Sequence, residues 1–319
     1  MIHGLRIFAE TADPALSAAV EHLLRPFASS AGDNGSLEDT LHCRVQAVGH
    51  LPALVPVNAS PVATEAGLSF SAADSRLYAE VEGFSVSVAD LEANRLDVYV
   101  DRAQVSETWT VQHFAILPLI TEFLRLRGLF PIHAAALEHG GKALILPALP
   151  GSGKTTLAIA LVRAGLRLLS DDMPFLSRDG DKVTVLASLE DVNVCADGIR
   201  FFDELRFLRG QGPDERGKVS FSLEEQFPGS VAGQGAPRLI VFPRLSGNAK
   251  SVLRPIGSTE AFSSLLEHSL RPINRPLGVA HFEIMLDTVV ACDCYRLETG
   301  CDPNEAAGLL RELLQSVHI

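Results

Sequence analysis

The run "PALPGSGKTTLAIALVRAGLRLLSDD" at 147–172 holds the residue types needed to grip a polyphosphate. Several negative charges packed together demand many hydrogen-bond donors, and a backbone supplies them only where side chains stay out of the way. Gly151 and Gly153 meet that demand. The amides of Gly151 to Thr155 would then converge at the start of a helix, where the peptide dipoles also favour an anion. Lys154 reaches the outer phosphates as a mobile point charge, and the Thr155 hydroxyl is placed to ligate magnesium. Pro150, Ser152 and Thr156 complete the loop against the nucleotide. Magnesium takes oxygen ligands and only one or two protein carboxylates. Asp171 and Asp172 are the natural candidates, so the chemistry on offer is ATP binding with Mg2+ and work on its phosphates.

Such residues need elements to aim them. Residues 143–146 are apolar and of strand length, and they feed directly into the glycine loop. Leu157, Leu161 and Ala164 then recur at helical spacing, giving one apolar face that can pack back on a sheet. Gly165 stops that helix as a left-handed C-terminal residue does. A second strand at 166–170 ends in the aspartate pair, and the unit has the size of a strand–helix–strand crossover. Neighbouring residues on a strand face opposite ways, so both aspartates serve one site only if the strand ends there. The residues alone leave open which is a base and which a metal ligand. Ala148 departs from the glycine that usually opens such a loop; alanine serves if the chain turns there without a positive φ.

Extended upstream, the run "HAAALEHGGKALILPALPGSGKTTLAIALVRAGLRLLSDD" resembles the catalytic domain of the HPr kinase/phosphorylase superfamily. It is more similar still to the HPr-kinase-related serine kinases that include lasso-peptide precursor kinases. His133 precedes Lys154 by 21 residues and Asp171 follows it by 17, as in that family. The resemblance implies a P-loop kinase domain of HPr kinase/phosphoenolpyruvate carboxykinase type with a smaller N-terminal α+β domain. It makes Asp171 the base that accepts the proton of an incoming serine hydroxyl, gives Asp172 and Thr155 to magnesium, and places His133 beside the acidic pair. A third positive charge should meet the transferred group from another segment. Arg238, 84 residues after Lys154, is the candidate, with Lys218 and Arg244 behind it; Asp197 is a further candidate for metal or nucleotide. The family tends toward oligomers, so the resemblance implies a homo-oligomer. The Gly-Glu-x-Arg-type signature of the bifunctional enzymes is missing after the aspartates, which leaves phosphorolysis and HPr itself outside what is implied.

Composition bounds the rest. With 319 residues and 47% hydrophobic content the chain can bury a sizeable core. A formal charge of -12, with no basic stripe, argues against a nucleic-acid partner. No apolar run approaches the roughly 18 residues that cross a bilayer, and "MIHGLRIFAETADPA" lacks a signal-peptide layout, so a soluble cytoplasmic protein is expected. Cys292, Cys294 and Cys301 lie close together but lack paired C-x-x-C spacing, which favours reduced structural thiols over a zinc site.

Along the chain, 5–10 and 41–48 read as strands, 14–27 as a helix, 29–36 as loop, and 67–105 as short antiparallel strands. This gives an N-terminal α+β domain over 1–105, read as a platform or docking module, and a catalytic domain over 106–319. The second opens on a buried helix at 108–127 with Pro118 as a kink. Glycine-rich loops at 210–218 and 229–237, a buried strand at 238–245 and a closing helix at 303–317 follow. The function expected is transfer of the terminal phosphoryl of ATP to a serine of a small protein or peptide. A small-molecule kinase of the same fold and a nucleotide-binding regulatory module without transfer are the alternatives.

Overall fold

Hydrophobic periodicity sets two separate sheets, and contacts sort the chain into two units around them. The computed structural model describes residues 5–24, 40–65, 67–149, 151–188, 191–214, 216–269 and 272–317. One unit comprises Met1–Leu129 with Arg271–His281, and the other Phe130–Leu270 with Phe282–Ile319. The loop at 29–36 and Pro150 lie outside the described residues.

The first unit holds β1 (Arg6–Glu10), α1 (Pro14–Leu24), β2 (Thr40–Val48), β3 (Ser60–Glu65), β4 (Leu68–Ala73), β5 (Arg76–Val81), β6 (Ser85–Asp90) and β7 (Arg95–Asp101). They form a seven-stranded sheet in the order β1-β2-β7-β6-β5-β4-β3. Its β3–β7 part is an antiparallel meander, as the alternation predicts, whereas β1, β2 and β7 run parallel. Asp74 and Asn94 take the left-handed conformation in two of its turns, a role their short polar side chains tolerate.

The expected boundary at 105/106 differs from the contact division, which falls after Leu129. The reason is what the following helices cover. α2 (Thr108–Thr110) runs through a π-helical stretch, Val111–Ile116, into α3 (Leu117–Leu126). Ser87 Oγ donates to the carbonyl of Ala115 at 2.8 Å, and Gln112 Nε2 to that of Ala19, tying this run to the first sheet and to α1. Pro118 does not break the helix. It sits at its first turn, and the preceding Leu117 amide reaches back five residues to Gln112. The wide turn thus ends where proline has no amide to give. Within α3, Glu122 and Arg125 form a fully buried ion pair. The Glu122 carboxylate also accepts from the amides of Ile273 and Asn274 at 3.0 and 3.1 Å.

The second unit contains β8 (Phe130–Pro131), β9 (Ala134–His139), β10 (Lys142–Pro147), α4 (Lys154–Arg163), β11 (Arg167–Ser170), β12 (Phe175–Asp179) and β13 (Lys182–Leu186). β14 (Val192–Cys195), α5 (Ala196–Ile199), β15 (Lys218–Phe221), α6 (Leu223–Gln226), β16 (Gln234–Leu245), β17 (Val252–Pro255) and α7 (Ser258–Leu266) follow. α8 (Arg275–Val290), β18 (Asp293–Thr299) and α9 (Pro303–Ser316) close the chain, with the start of α8 counted in the first unit. The large sheet runs β11-β9-β10-β16-β13-β12-β8, with β18 on β16 and β17 on β18, while β14 and β15 form a separate ribbon. The architecture is mixed α/β with several sheets.

Two expectations change here. β9 runs antiparallel between β10 and β11, so the aspartate strand is next but one to the loop strand rather than beside it. β16 begins four residues early, at Gln234, because Gly235 lets the chain pass against Ala143 and Glu138, where a Cβ would meet neighbours at 3.2–3.3 Å. Residues that look like loop are strand by virtue of close packing.

α4 is buried nearly all round rather than on one face, with Leu157 through Val162 all inaccessible. One side meets the sheet through Ala135, Leu144 and Leu239, another meets Ala306 and Leu310 of α9, and Val194, Phe202 and Val219 close a third. Leu161 is 0% exposed, so Leu161→Ala is expected to cost about 2–5 kcal/mol in urea unfolding. A loss below 1 kcal/mol would show that α4 is not the centre of this core. Among the described residues, no helix is long and apolar enough to cross a membrane.

Candidate functional site

The loop that follows β10 is shaped by its glycines. Gly151 and Gly153 have φ values of 82° and 84°, which other L residues adopt only with strain. Ala148 is buried and lies outside the positive-φ set, so the departure from glycine there carries no backbone penalty. Gly153 caps α4 without any side-chain hydrogen bond. The amides of the first turn, which have no partner inside a helix, therefore remain available to a ligand. Ser152 Oγ is buried with no partner among the described residues. At the far end Gly165 and Leu166 donate to Val162 and Leu161 at 2.9 and 3.1 Å, a Schellman closure that turns the chain into β11.

β11 stops at Ser170, so Asp171 and Asp172 leave the strand and both reach the loop. Ser170 Oγ accepts from the amides of Asp172 and Met173 and fixes the bend. Lys154 Nζ meets Asp172 Oδ1 at 2.8 Å, and His133 Nδ1 meets the same oxygen at 3.2 Å. Thr155 Oγ1 donates to Asp171 Oδ2 at 3.1 Å. His133 is held by the mainchain: its amide donates to the His268 carbonyl, and the next amide, of Ala134, to the Asp172 carbonyl. Three chain segments, 133–134, 154–155 and 171–172, thus converge.

The two carboxylates differ in surroundings. Asp172 is half exposed and already shared by two cationic or potentially cationic groups. Asp171 is buried, and burial pushes its carboxyl up to about 6, against the opposing pull of the Lys154 charge and the Thr155 hydrogen bond. Its Oδ1 has no partner among the described residues. Burial also lowers the His133 pKa, outweighing the attraction of Asp172.

Not every candidate arrives. Arg238 stands near the start of β16, where Ala143 pairs with Pro237 and Leu144 with Leu239. β16 runs parallel to β10, so its start lies at the end remote from the phosphate loop, on the order of 10 Å back along the strand. There Arg238 Nη1 donates to the neighbouring Pro237 carbonyl. Arg238 therefore does not belong to the cluster. Arg244 sits at the opposite, loop-side end of β16, exposed, next to Leu245, whose side chain lies 3.1 Å from where a Cβ on Gly153 would be. Asp197 is exposed and ion-paired with Arg200 at 3.8 Å. Lys218 does act on the site: its charge lowers the pKa of both Asp171 and His133.

Sequence reasoning missed His268. It is 8% exposed, has an unpartnered Nδ1, and supplies the carbonyl that positions His133. A lone histidine after a helix carries no signal of its own. Among the described residues, no group of three or more His, Cys, Asp or Glu is placed to hold a metal ion.

No family model and no curated protein matches the chain. Among solved structures, the HPr(Ser) kinase/phosphatase from Coxiella burnetii is similar, with a TM-score of 0.30 and 15% sequence identity over 58% of this chain and 87% of that one.

Proposed function

We propose that the chain is a kinase that uses ATP and Mg2+ to phosphorylate a serine hydroxyl of a small protein or peptide, the reading under which each polar group of the cluster has work. The observation that carries it is Asp171: a buried carboxylate beside the phosphate loop, with one oxygen tied to Thr155 and the other without a partner. A buried acid near neutral pKa is suited to take a proton at physiological pH.

The residues present fit a magnesium ion. Thr155 gives its proton to Asp171 and keeps its lone pairs, and the half-exposed Asp172 offers a carboxylate to a hydrated ion. Bound there, the ion would neutralise charge on the phosphate oxygens and keep them aligned. Lys154 and the first-turn amides hold the phosphates, His133 steadies Asp172, and Asp171 Oδ1 receives the serine proton. A bond forms between serine Oγ and the terminal phosphorus, the bond from that phosphorus to the bridging oxygen breaks, and ADP leaves.

Incubation with ATP and Mg2+ of small serine-containing proteins and peptides co-expressed with the chain, followed by phosphopeptide mapping, tests this. Phosphoserine on one of them is the expected result. Label appearing only on a member of a parallel metabolite panel would move the acceptor to a small molecule. Tight nucleotide binding with no transfer to either would leave a regulatory module.

A further inference from the structure

The cluster contains one cation already engaged, Lys154, and a triphosphate brings more negative charge than one lysine neutralises. The missing charge has a structural source in the β14–β15 ribbon. Its strands pair antiparallel with Cys195 opposite Lys218, so Lys218 sits at the end from which α5 departs. α5 rests on the start of α4: a Cβ on Gly198 would lie 2.9 Å from Thr156 Oγ1. Val219 and Phe221 anchor the strand in the core around α4. The Lys218 mainchain is locked from both sides, its amide donating to Asp214 Oδ1 at 2.9 Å and its carbonyl accepting from the Asp214 amide at 2.8 Å.

The backbone is fixed, yet the ammonium has no ion-pair or hydrogen-bond partner among the described residues. Lys218 is half-buried. A lysine held this way without a carboxylate of its own, on the ribbon end whose helix α5 rests against the first turn of α4, is arranged for an anion that arrives from outside.

We propose that Lys218 is the second phosphate-binding cation of the site and grips the terminal phosphoryl group, while Lys154 serves the phosphates from the loop side. The proposal rests on the nucleotide reading above and takes the place that spacing alone gave to Arg238. It separates the two lysines by which phosphate they feel. ADP lacks the group that Lys218 would hold, so the residue should matter for a triphosphate and not for a diphosphate.

Calorimetric titration of ADP and of a non-hydrolysable β,γ-imido ATP analogue, each with Mg2+, into wild type, Lys218→Met, Lys218→Gln and Lys218→Arg tests this. The neutral variants should keep ADP affinity within about twofold and lose roughly tenfold or more for the analogue, with arginine recovering most of it. Equal loss for both nucleotides, or loss for neither, overturns the assignment. Wild type that binds neither nucleotide overturns the nucleotide reading itself, a distinct result because it appears before any variant is made.

Discussion

Asp171→Asn lowers phosphoryl transfer by roughly 10²–10⁴-fold, the usual range for loss of a general base, while nucleotide affinity stays close to wild type. The carboxylate touches Thr155 and otherwise presents one free oxygen, so its removal takes away a proton acceptor and not a phosphate donor group. A second consequence runs the other way. Burial raises the Asp171 pKa from 3.8 to about 6, so the native state holds a proton that the unfolded chain releases between those values. Stability from this group therefore falls as pH rises from about 4 to about 6 and stays low above. The asparagine variant removes that cost, by up to about 3 kcal/mol for a shift of about two units. Thermal melts without nucleotide or metal should show the variant more stable at pH 7, with the gain shrinking toward pH 4. A variant that transfers phosphate at the wild-type rate would end the base assignment, and one that melts lower at pH 7 would show that the buried charge is not destabilising.

Lys154→Met should lose on both counts. The residue is buried, its ammonium is bonded to Asp172, and it opens the helix that the loop feeds. Each charge-assisted hydrogen bond lost to a phosphate costs about 1.5–3 kcal/mol, so affinity falls by roughly ten- to a hundredfold, with a further loss in the transfer step. Lys154 also pulls the Asp171 pKa down, so without it the acidic limb of any residual pH–rate profile moves to higher pH than in wild type. Arginine should rescue poorly, because a planar guanidinium does not fit a slot shaped for a point charge. Unchanged ADP affinity in the methionine variant would show that the loop does not hold phosphates through this residue.

Local chemistry was well written in the sequence. Gly151, Gly153 and Gly165 marked the loop and the helix end by backbone conformation, and the apolar runs on either side placed the strands. The ending of β11 at Ser170 followed from the aspartates themselves. What failed to show was strand neighbourhood and direction. Nothing in "HAAALEH" says that this strand inserts between β10 and β11, because pairing is a property of distant residues. Arg238 was misplaced for the same reason: separation along the chain does not state that β16 runs parallel to β10, and the start of a parallel strand faces away from the loop. Lys218 ranked only behind Arg238 because its place depends on Gly198 resting against Thr156.

The carboxylate of Glu122, clasped by Arg125 and by the amides of Ile273 and Asn274, bears on how the gene could be divided. The first unit borrows Arg271–His281 from a point 141 residues past its own apparent end at Leu129. A fragment stopped at 129 would therefore carry a buried acid with two of its donors missing, a loss of several kcal/mol. A fragment of residues 1–129 is therefore expected to unfold at lower urea concentration than the intact chain.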